Sequence, residues 1–265
     1  MRLEGRSVLL TGATGGIGGA IARELASRGC VLTVTGRREA ELARLVTELG
    51  PPARGFAADL TSLAEMRELL DHVGPVDILV ACAGVDIPQD LADASEDAVD
   101  EAIRINLSAP AALSRALVGS MKQRGAGHIV FIGSVAGLVA TPINSSVYTA
   151  TKWGLRGLGL ALRQELRGTG IGVSIVSPAG VRDAGMFART GLTLPWYAGT
   201  SSPQDVARAV VRAIERDRPE VVVAAGGERL GAALSGVAPV LVGRIARVAG
   251  LGRIRQAVRD AQSRG

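Results

Sequence analysis

Tyr148 and Lys152 stand four residues apart in the stretch SSVYTATKWG, residues 145–154. The chain has 265 residues, with two tyrosines and two lysines against 28 arginines, so the pairing of two rare residue types is itself a signal. On a helix, positions i and i+4 share one face, about 5–6 Å apart at Cβ. An ammonium there favours tyrosinate and lowers a phenol from its usual value of about 10. A phenol tuned in this way is a general acid or base. Arginine would serve less well, because its charge is spread over a planar fork. Such a pair needs a fold, an oxyanion partner and a cofactor to act on.

Stepping along the chain, short apolar runs alternate with helical patterns. SVLL (7–10) reads as a buried strand leading into glycines, and VLTVT (31–35) as the next strand. IARELASRG (21–29) and EAELARLVTELG (39–50) have helical spacing and end in glycine. RGFAADL, VDILVACAG, GHIVFIGS, IGVSIVSP (171–178) and EVVVAA (220–225) supply further strands. The helical stretches among them are SLAEMRELLDHV, a long helix through 96–121, and a helix carrying Tyr148 and Lys152 to about Arg167. The alternation predicts an α/β fold, a doubly wound parallel sheet of about seven strands with helices on both faces.

TGATGGIG (11–18) lies between the first strand and a helix, the setting of a glycine-rich phosphate cradle. It fits T-G-x-x-x-G-x-G through Gly12, Gly16 and Gly18, and also T-G-x-x-G-x-x-G through Gly12, Gly15 and Gly18. The loop by itself does not choose between them.

With DL at Asp59–Leu60, RIN ending at Asn106, IGSVAG containing Ser134, and YTATK, the chain resembles the classical short-chain dehydrogenase/reductase family over residues 5–225. The second loop spelling belongs to that family's extended branch. The resemblance implies a Rossmann-type fold and a nicotinamide-dependent oxidoreductase that interconverts a ketone or aldehyde and an alcohol. It implies Tyr148 as proton donor or base, and Lys152 as the residue that lowers its pKa and binds the nicotinamide ribose. It implies Ser134 as the hydrogen-bond partner of the substrate oxygen, and Asn106 as the holder of a relay water. It also implies cofactor contacts from Gly12, Thr14, Gly16, Ile17 and Gly18, from Asp59 and Leu60, from Ala83 and Gly84, and from Pro178 and Val181. Taken alone, Asn106 reads as a cap at a helix break and Ser134 as a strand-end serine.

Several features depart from the family pattern. NNAG appears as ACAG (81–84), with Cys82 in place of an asparagine. PG after the sixth strand appears as PAG (178–180), and Asp183 stands near where a threonine often meets the cofactor amide. Ser134 precedes Tyr148 by 14 residues, one more than the family pattern, which predicts an extra residue in the intervening loop. His72 closes a surface helix and His128 begins a strand at the end opposite the site, so neither is a candidate base. IGSVAG is not the G-x-S-x-G of a serine hydrolase.

An acid at the end of the second strand would hold ribose hydroxyls and repel a 2′-phosphate. Here that strand ends in Gly36, Arg37 and Arg38, with no acid before Glu39. Arg37 and Arg38 can bond a 2′-phosphate, so NADP(H) is the expected cofactor and NAD(H) the alternative.

Residues 179–202 are expected to cover the nicotinamide. Phe187, Trp196 and Tyr197 fall there although the chain has only seven aromatic residues. That composition points to an uncharged, mainly apolar ketone, aldehyde or secondary alcohol. SSPQD follows as a helix start, with Ser202 as N-cap, Pro203 at N1 and Asp205 at N3.

The net charge of +5 resides in the tail. Residues 1–225 hold 23 basic and 23 acidic groups, whereas residues 226–265 hold seven arginines and two acids. The division is therefore a catalytic domain over 1–225 and a basic amphipathic extension over 226–265. Leu241, Ile245, Val248, Leu251, Ile254 and Val258 share one helical face. That face either packs on the core or a partner subunit of a homodimer or homotetramer, or rests weakly on anionic lipid through residues 238–265. No aromatic interleaves the arginines, which argues against nucleic acid. Isolated Cys30 and Cys82 point to free thiols, no metal centre and a cytoplasmic setting, with peripheral membrane contact as the alternative. Two further readings are a non-catalytic dinucleotide-binding protein and a membrane-surface adaptor. The intact Asn/Ser/Tyr/Lys set argues against the first.

Overall fold

The computed structural model describes residues 1–87, 89–140, 144–182 and 201–224, together with the single positions 238, 244 and 248. Seven strands run in the order β3-β2-β1-β4-β5-β6-β7, every neighbouring pair parallel. They are β1 (Ser7–Thr11), β2 (Val31–Gly36), β3 (Arg54–Ala57), β4 (Ile78–Ala81), β5 (Gly127–Ile132), β6 (Ile171–Pro178) and β7 (Glu220–Val223). Parallel strands covered on both faces must be apolar throughout rather than alternating. Accordingly Leu9, Leu10, Ile78, Leu79, Ile129 and Phe131 have no exposed surface, each contributing about 1.5–3 kcal/mol of burial.

One face is covered by α1 (Gly16–Ser27), α2 (Glu39–Leu49) and α7 (Pro203–Glu215), which send Ile21, Leu25, Leu42, Leu45, Val206 and Val210 inward. The other is covered by α3 (Leu63–Val73), α5 (Ala109–Arg124) and α6 (Ser146–Glu165), through Met66, Leu69, Leu113, Leu117 and Leu155. Ser62 caps α3 by accepting the Glu65 amide. The expected start at Ser202 is a full capping box, with Pro203 in the first turn.

The long helix expected through 96–121 is interrupted. α4 (Glu96–Ile103) passes into a π-helical turn, Arg104–Ser108, before α5 begins at Ala109. Asn106 lies inside that turn and is completely buried. A π turn admits one extra residue and often marks a functional position. The helix expected to reach Arg167 ends at Glu165.

The chain winds outward in both directions from β1, so a crevice opens between the carboxyl ends of β1 and β4. Thr11, the last residue of β1, accepts the Cys82 and Ala83 amides on its hydroxyl, both at 3.1 Å, and joins the two strand ends there. Among the described residues no helix is long and apolar enough to cross a membrane. The substrate segment beyond Arg182, with Asp183, and nearly all of the tail lie outside the described residues. In the tail, Val248 is 90% exposed.

Candidate active site

The glycine loop is fixed by close approach. Gly12 has φ +67°, and a Cβ there would stand 2.7 Å from the Ala83 backbone. A Cβ on Gly18 would meet the Gly12 carbonyl oxygen at 2.1 Å, whereas one on Gly15 would make only ordinary contact at 3.4 Å. The two positions shared by both loop spellings are thus the ones where any side chain is excluded. Gly15 caps α1 without a side-chain hydrogen bond, and no acid occupies the first turn. Among the described residues the first-turn amides of α1 therefore meet no carboxylate at this helix start, which suits a pyrophosphate. Ile17 is half-buried against the core behind the loop.

At the end of β2, Arg38 donates to the Thr14 carbonyl at 2.8 Å and pairs with Glu41. Arg37 reaches across to Glu101 on α4 at 2.8 Å. A Cβ on Gly36 would lie 3.0 Å from the Thr14 hydroxyl, so the position where an acid would select NAD(H) is crowded. Asp59 accepts the Thr61 amide and hydroxyl, each at 2.9 Å, and Leu60 is buried beside it. Pro178 ends β6, and the buried Val181 bridges Ser201.

α6 brings Tyr148 and Lys152 together in the interior, 5% and 4% exposed. The Lys152 ammonium donates to the Ile132 carbonyl at 3.0 Å and lies 5.6 Å from the centre of the Tyr148 ring. Ser134 follows β5 and opens a single 3₁₀ turn, Val135–Gly137, where its hydroxyl accepts the Ala136 amide at 3.1 Å. The same hydroxyl lies beside the Tyr148 phenol and favours its ionised form. Asn106 holds both polar groups of Val85, accepting its amide at 2.9 Å and donating to its carbonyl at 2.8 Å. It also donates to the Thr151 hydroxyl at 3.1 Å. A Cβ on Gly84 would stand 3.2 Å from Asn106 Oδ1 and 3.5 Å from Lys152 Nζ, so both groups converge beneath Gly84. Tyr148, Lys152, Ser134 and Asn106 are thus brought to one place.

Burial acts on both members of the pair. In the chain alone, burial pushes the phenol well above its usual value, opposed by the Ser134 hydroxyl and reinforced by Asp86 and Cys82. Burial also draws Lys152 down to about 8, opposed by Cys82 and Asp86. Desolvation thus disfavours the charged form of each group. Cys82 is likewise pushed up by burial, to about 12, and stays a thiol. His128, far from the site, is buried on Ser174 and drawn down to about 4, chiefly by desolvation.

Four contributors escaped the sequence reading: Thr11, Asp86, Ser145 and Thr151. Ser145 was legible in principle as an N-cap serine three residues before Tyr148, whose amide it accepts at 3.0 Å. Asp86 carries no local signal, because the Ser145 hydroxyl it accepts lies 59 residues away.

The family model for short chain dehydrogenase matches residues 6–193. The chain is 39% identical to a ketoacyl reductase, HetN, of Nostoc sp. over 228 residues, covering 83% of this chain and 79% of that protein. It superposes on a short-chain dehydrogenase from Sphingobium yanoikuyae in complex with NADPH with a TM-score of 0.76 and 28% identity, covering 88% and 94% of the two chains. A bulky-bulky ketone specific alcohol dehydrogenase from Comamonas testosteroni gives a TM-score of 0.73 and 26% identity, covering 88% and 93%. The crevice, the glycine cradle and the buried tyrosine–lysine pair thus belong to an oxidoreductase of the classical short-chain dehydrogenase/reductase family, whose members bind a nicotinamide dinucleotide.

Proposed function

We propose that the protein is an NADP(H)-dependent carbonyl reductase or alcohol dehydrogenase acting on a small to medium, mainly apolar ketone, aldehyde or secondary alcohol. The observation that carries this reading is the buried Tyr148 phenol, beside the Ser134 hydroxyl and flanked by the Lys152 ammonium. When bound, the nicotinamide supplies or accepts the hydride. The chain's own residues handle the proton. Tyr148 gives its hydroxyl proton to the carbonyl oxygen, and Ser134 offers that oxygen a hydrogen bond. Lys152, steadied by the Ile132 carbonyl, stabilises the phenolate left behind and holds the ribose. Asn106, which converges with Lys152 beneath Gly84, would hold the water through which a proton returns from solvent.

The residues that would hold the dinucleotide fit it. Gly12, Thr14, Gly16, Ile17 and Gly18 with the α1 amides suit the pyrophosphate, and Asp59, Leu60 and Ala83 suit the adenosine side. Gly84, Pro178 and Val181 suit the nicotinamide side. Arg37, Arg38 and the crowding at Gly36 favour a 2′-phosphate over free ribose hydroxyls. Likeness to a dehydrogenase in complex with NADPH supports the same choice, and likeness to a ketone-specific alcohol dehydrogenase and a ketoacyl reductase supports a ketone substrate.

A homodimer or homotetramer belongs to this proposal, since Ile103 and Trp153 leave apolar surface on α4 and α6. So does weak contact of residues 238–265 with an anionic membrane surface, tested by sedimentation with anionic vesicles at low salt. The deciding experiment is NADPH oxidation measured against ketones and aldehydes graded by size and polarity. Turnover rising with apolar size supports the reading, and no turnover with any carbonyl refutes it.

A further inference from the structure

A circuit of hydrogen bonds, closed by one peptide bond, runs through the backbone of Tyr148. Asn106 donates to Thr151, and the Thr151 hydroxyl donates to the Tyr148 carbonyl at 2.8 Å. The Tyr148 amide donates to the Ser145 hydroxyl at 3.0 Å, and that hydroxyl donates to Asp86 Oδ1 at 2.6 Å. Asp86 is joined by one peptide bond to Val85, whose two polar groups return to Asn106. The Asp86 carboxylate also accepts the Ile87 amide at 2.8 Å, which fixes its orientation. It is the one formal charge in the circuit.

Resting on the carbonyl-reductase reading, we propose that Asp86 is a positioning residue for the Tyr148–Lys152 pair: it orients the Ser145 hydroxyl that caps the catalytic helix and sets a fixed negative charge before the phenol and the ammonium. A serine hydroxyl can turn, and it caps Tyr148 well only when its proton points elsewhere. The short bond to Asp86 takes that proton and leaves the lone pairs for the Tyr148 amide. The charge acts in a definite direction. A carboxylate disfavours tyrosinate and favours ammonium, so it keeps a proton on both members of the pair. That is the form that donates to a carbonyl. Among the described residues, the titratable groups facing the pair are Cys82, from the segment after β4, and Asp86. Cys82 is neutral, so Asp86 supplies the negative charge there.

The rarity of lysine gives a direct test. Protein labelled with ¹³C at lysine Cε shows two resonances, Lys122 and Lys152, assigned with Lys122→Arg. In the cofactor-free wild type, Lys152 is expected to titrate near 8. In Asp86→Asn, which keeps an acceptor for Ser145 and loses the charge, its midpoint falls by roughly half a pH unit or more, with Lys122 unmoved. Asp86→Ser serves as a second uncharged variant should the amide not fold. For kinetics, the alkaline limb of kcat/KM for ketone reduction in Asp86→Asn moves to lower pH. Asp86→Ala and Ser145→Ala each lose roughly tenfold in kcat, and the double variant loses no more than about twofold beyond either. An unmoved Lys152 midpoint overturns the placement of the charge, and losses that multiply in the double variant overturn the relay through Ser145. Wild-type protein that turns over no carbonyl refutes the reductase reading instead, while the lysine titration still decides the role of Asp86.

Discussion

The ammonium of Lys152 lies 5.6 Å from the centre of the Tyr148 ring and is pinned by the Ile132 carbonyl, so the two groups are held by different elements. Helix α6 sets their spacing and the end of β5 sets the ammonium's position. This arrangement makes the phenol oxygen, and not the ring, the dispensable part for structure. Tyr148→Phe removes that oxygen and little volume. It is expected to lower kcat by at least about 10²-fold, the usual share of a positioned general acid, while NADPH binding changes less than about threefold. Initial rates and a fluorescence titration of NADPH check this; a Phe variant retaining a tenth of the wild-type rate refutes the acid–base assignment.

Arg37 is bonded to Glu101 across the adenosine end of the crevice, and both side chains are largely exposed. An exposed pair of this kind contributes little to stability, so a 2′-phosphate can displace Glu101. Arg37→Asp is expected to weaken NADPH binding by about 1.5–3 kcal/mol and to shift preference towards NADH. Glu101→Gln frees Arg37 and is expected to tighten NADPH binding with NADH unchanged. Equal wild-type dissociation constants for the two cofactors would contradict this account.

The order of strands and helices was legible because each uses a local rule. Continuous apolar runs gave β1, β4, β5 and β6, and Ser202, Pro203 and Asp205 marked the start of α7 within one residue. The catalytic quartet was legible only as motifs, since Ser134 and Asn106 have no distinguishing local chemistry. What stayed hidden was non-local. The π turn at Asn106 was legible only as a helix break, and the partner it serves is non-local: the Asn106 side chain clamps Val85, 21 residues away. Asp86 was hidden for the same reason. Spacing reports a neighbouring charge at Lys152 but not how deeply both groups are buried.

The capping box of α7 gives a pH-dependent stability. Asp205 accepts the Ser202 amide and hydroxyl, which hold its carboxyl down at about 2 from a usual 3.8. A depressed carboxylate stabilises the fold above its unfolded value, and that contribution fades as the pH falls from about 4 through 2. The side chain is 42% exposed, so after solvent screening it contributes about 1 kcal/mol. Asp205→Ala is expected to lower Tm at pH 6, with the gap to the wild type narrowing by pH 3. A gap independent of pH would assign the effect to packing and not to charge.

The turn that presents Ser134 is pressed directly onto the helix that presents Tyr148. A Cβ on Gly137 would stand 2.6 Å from the Lys152 carbonyl oxygen and 2.9 Å from its carbon. Both are backbone atoms in the middle of α6 and cannot swing aside as a side-chain tip would. Gly137→Ala must therefore push the 3₁₀ turn away from α6 by some tenths of an ångström, costing about 1–3 kcal/mol of overpacking. The approach of the Ser134 hydroxyl to the phenol crosses that same junction. The glycine loop and α1 lie across the sheet from it, so the cofactor cradle is spared. The expected result is a kcat reduced by roughly tenfold or more, because a small misplacement of reacting groups is costly, with NADPH affinity close to that of the wild type. Thermal unfolding measures the packing cost, and single-turnover kinetics at saturating NADPH measure the loss of alignment. A Gly137→Ala protein with wild-type turnover would show that the Ser134 turn can shift without disturbing the chemistry, and that Ser134 does not share the reacting oxygen with Tyr148.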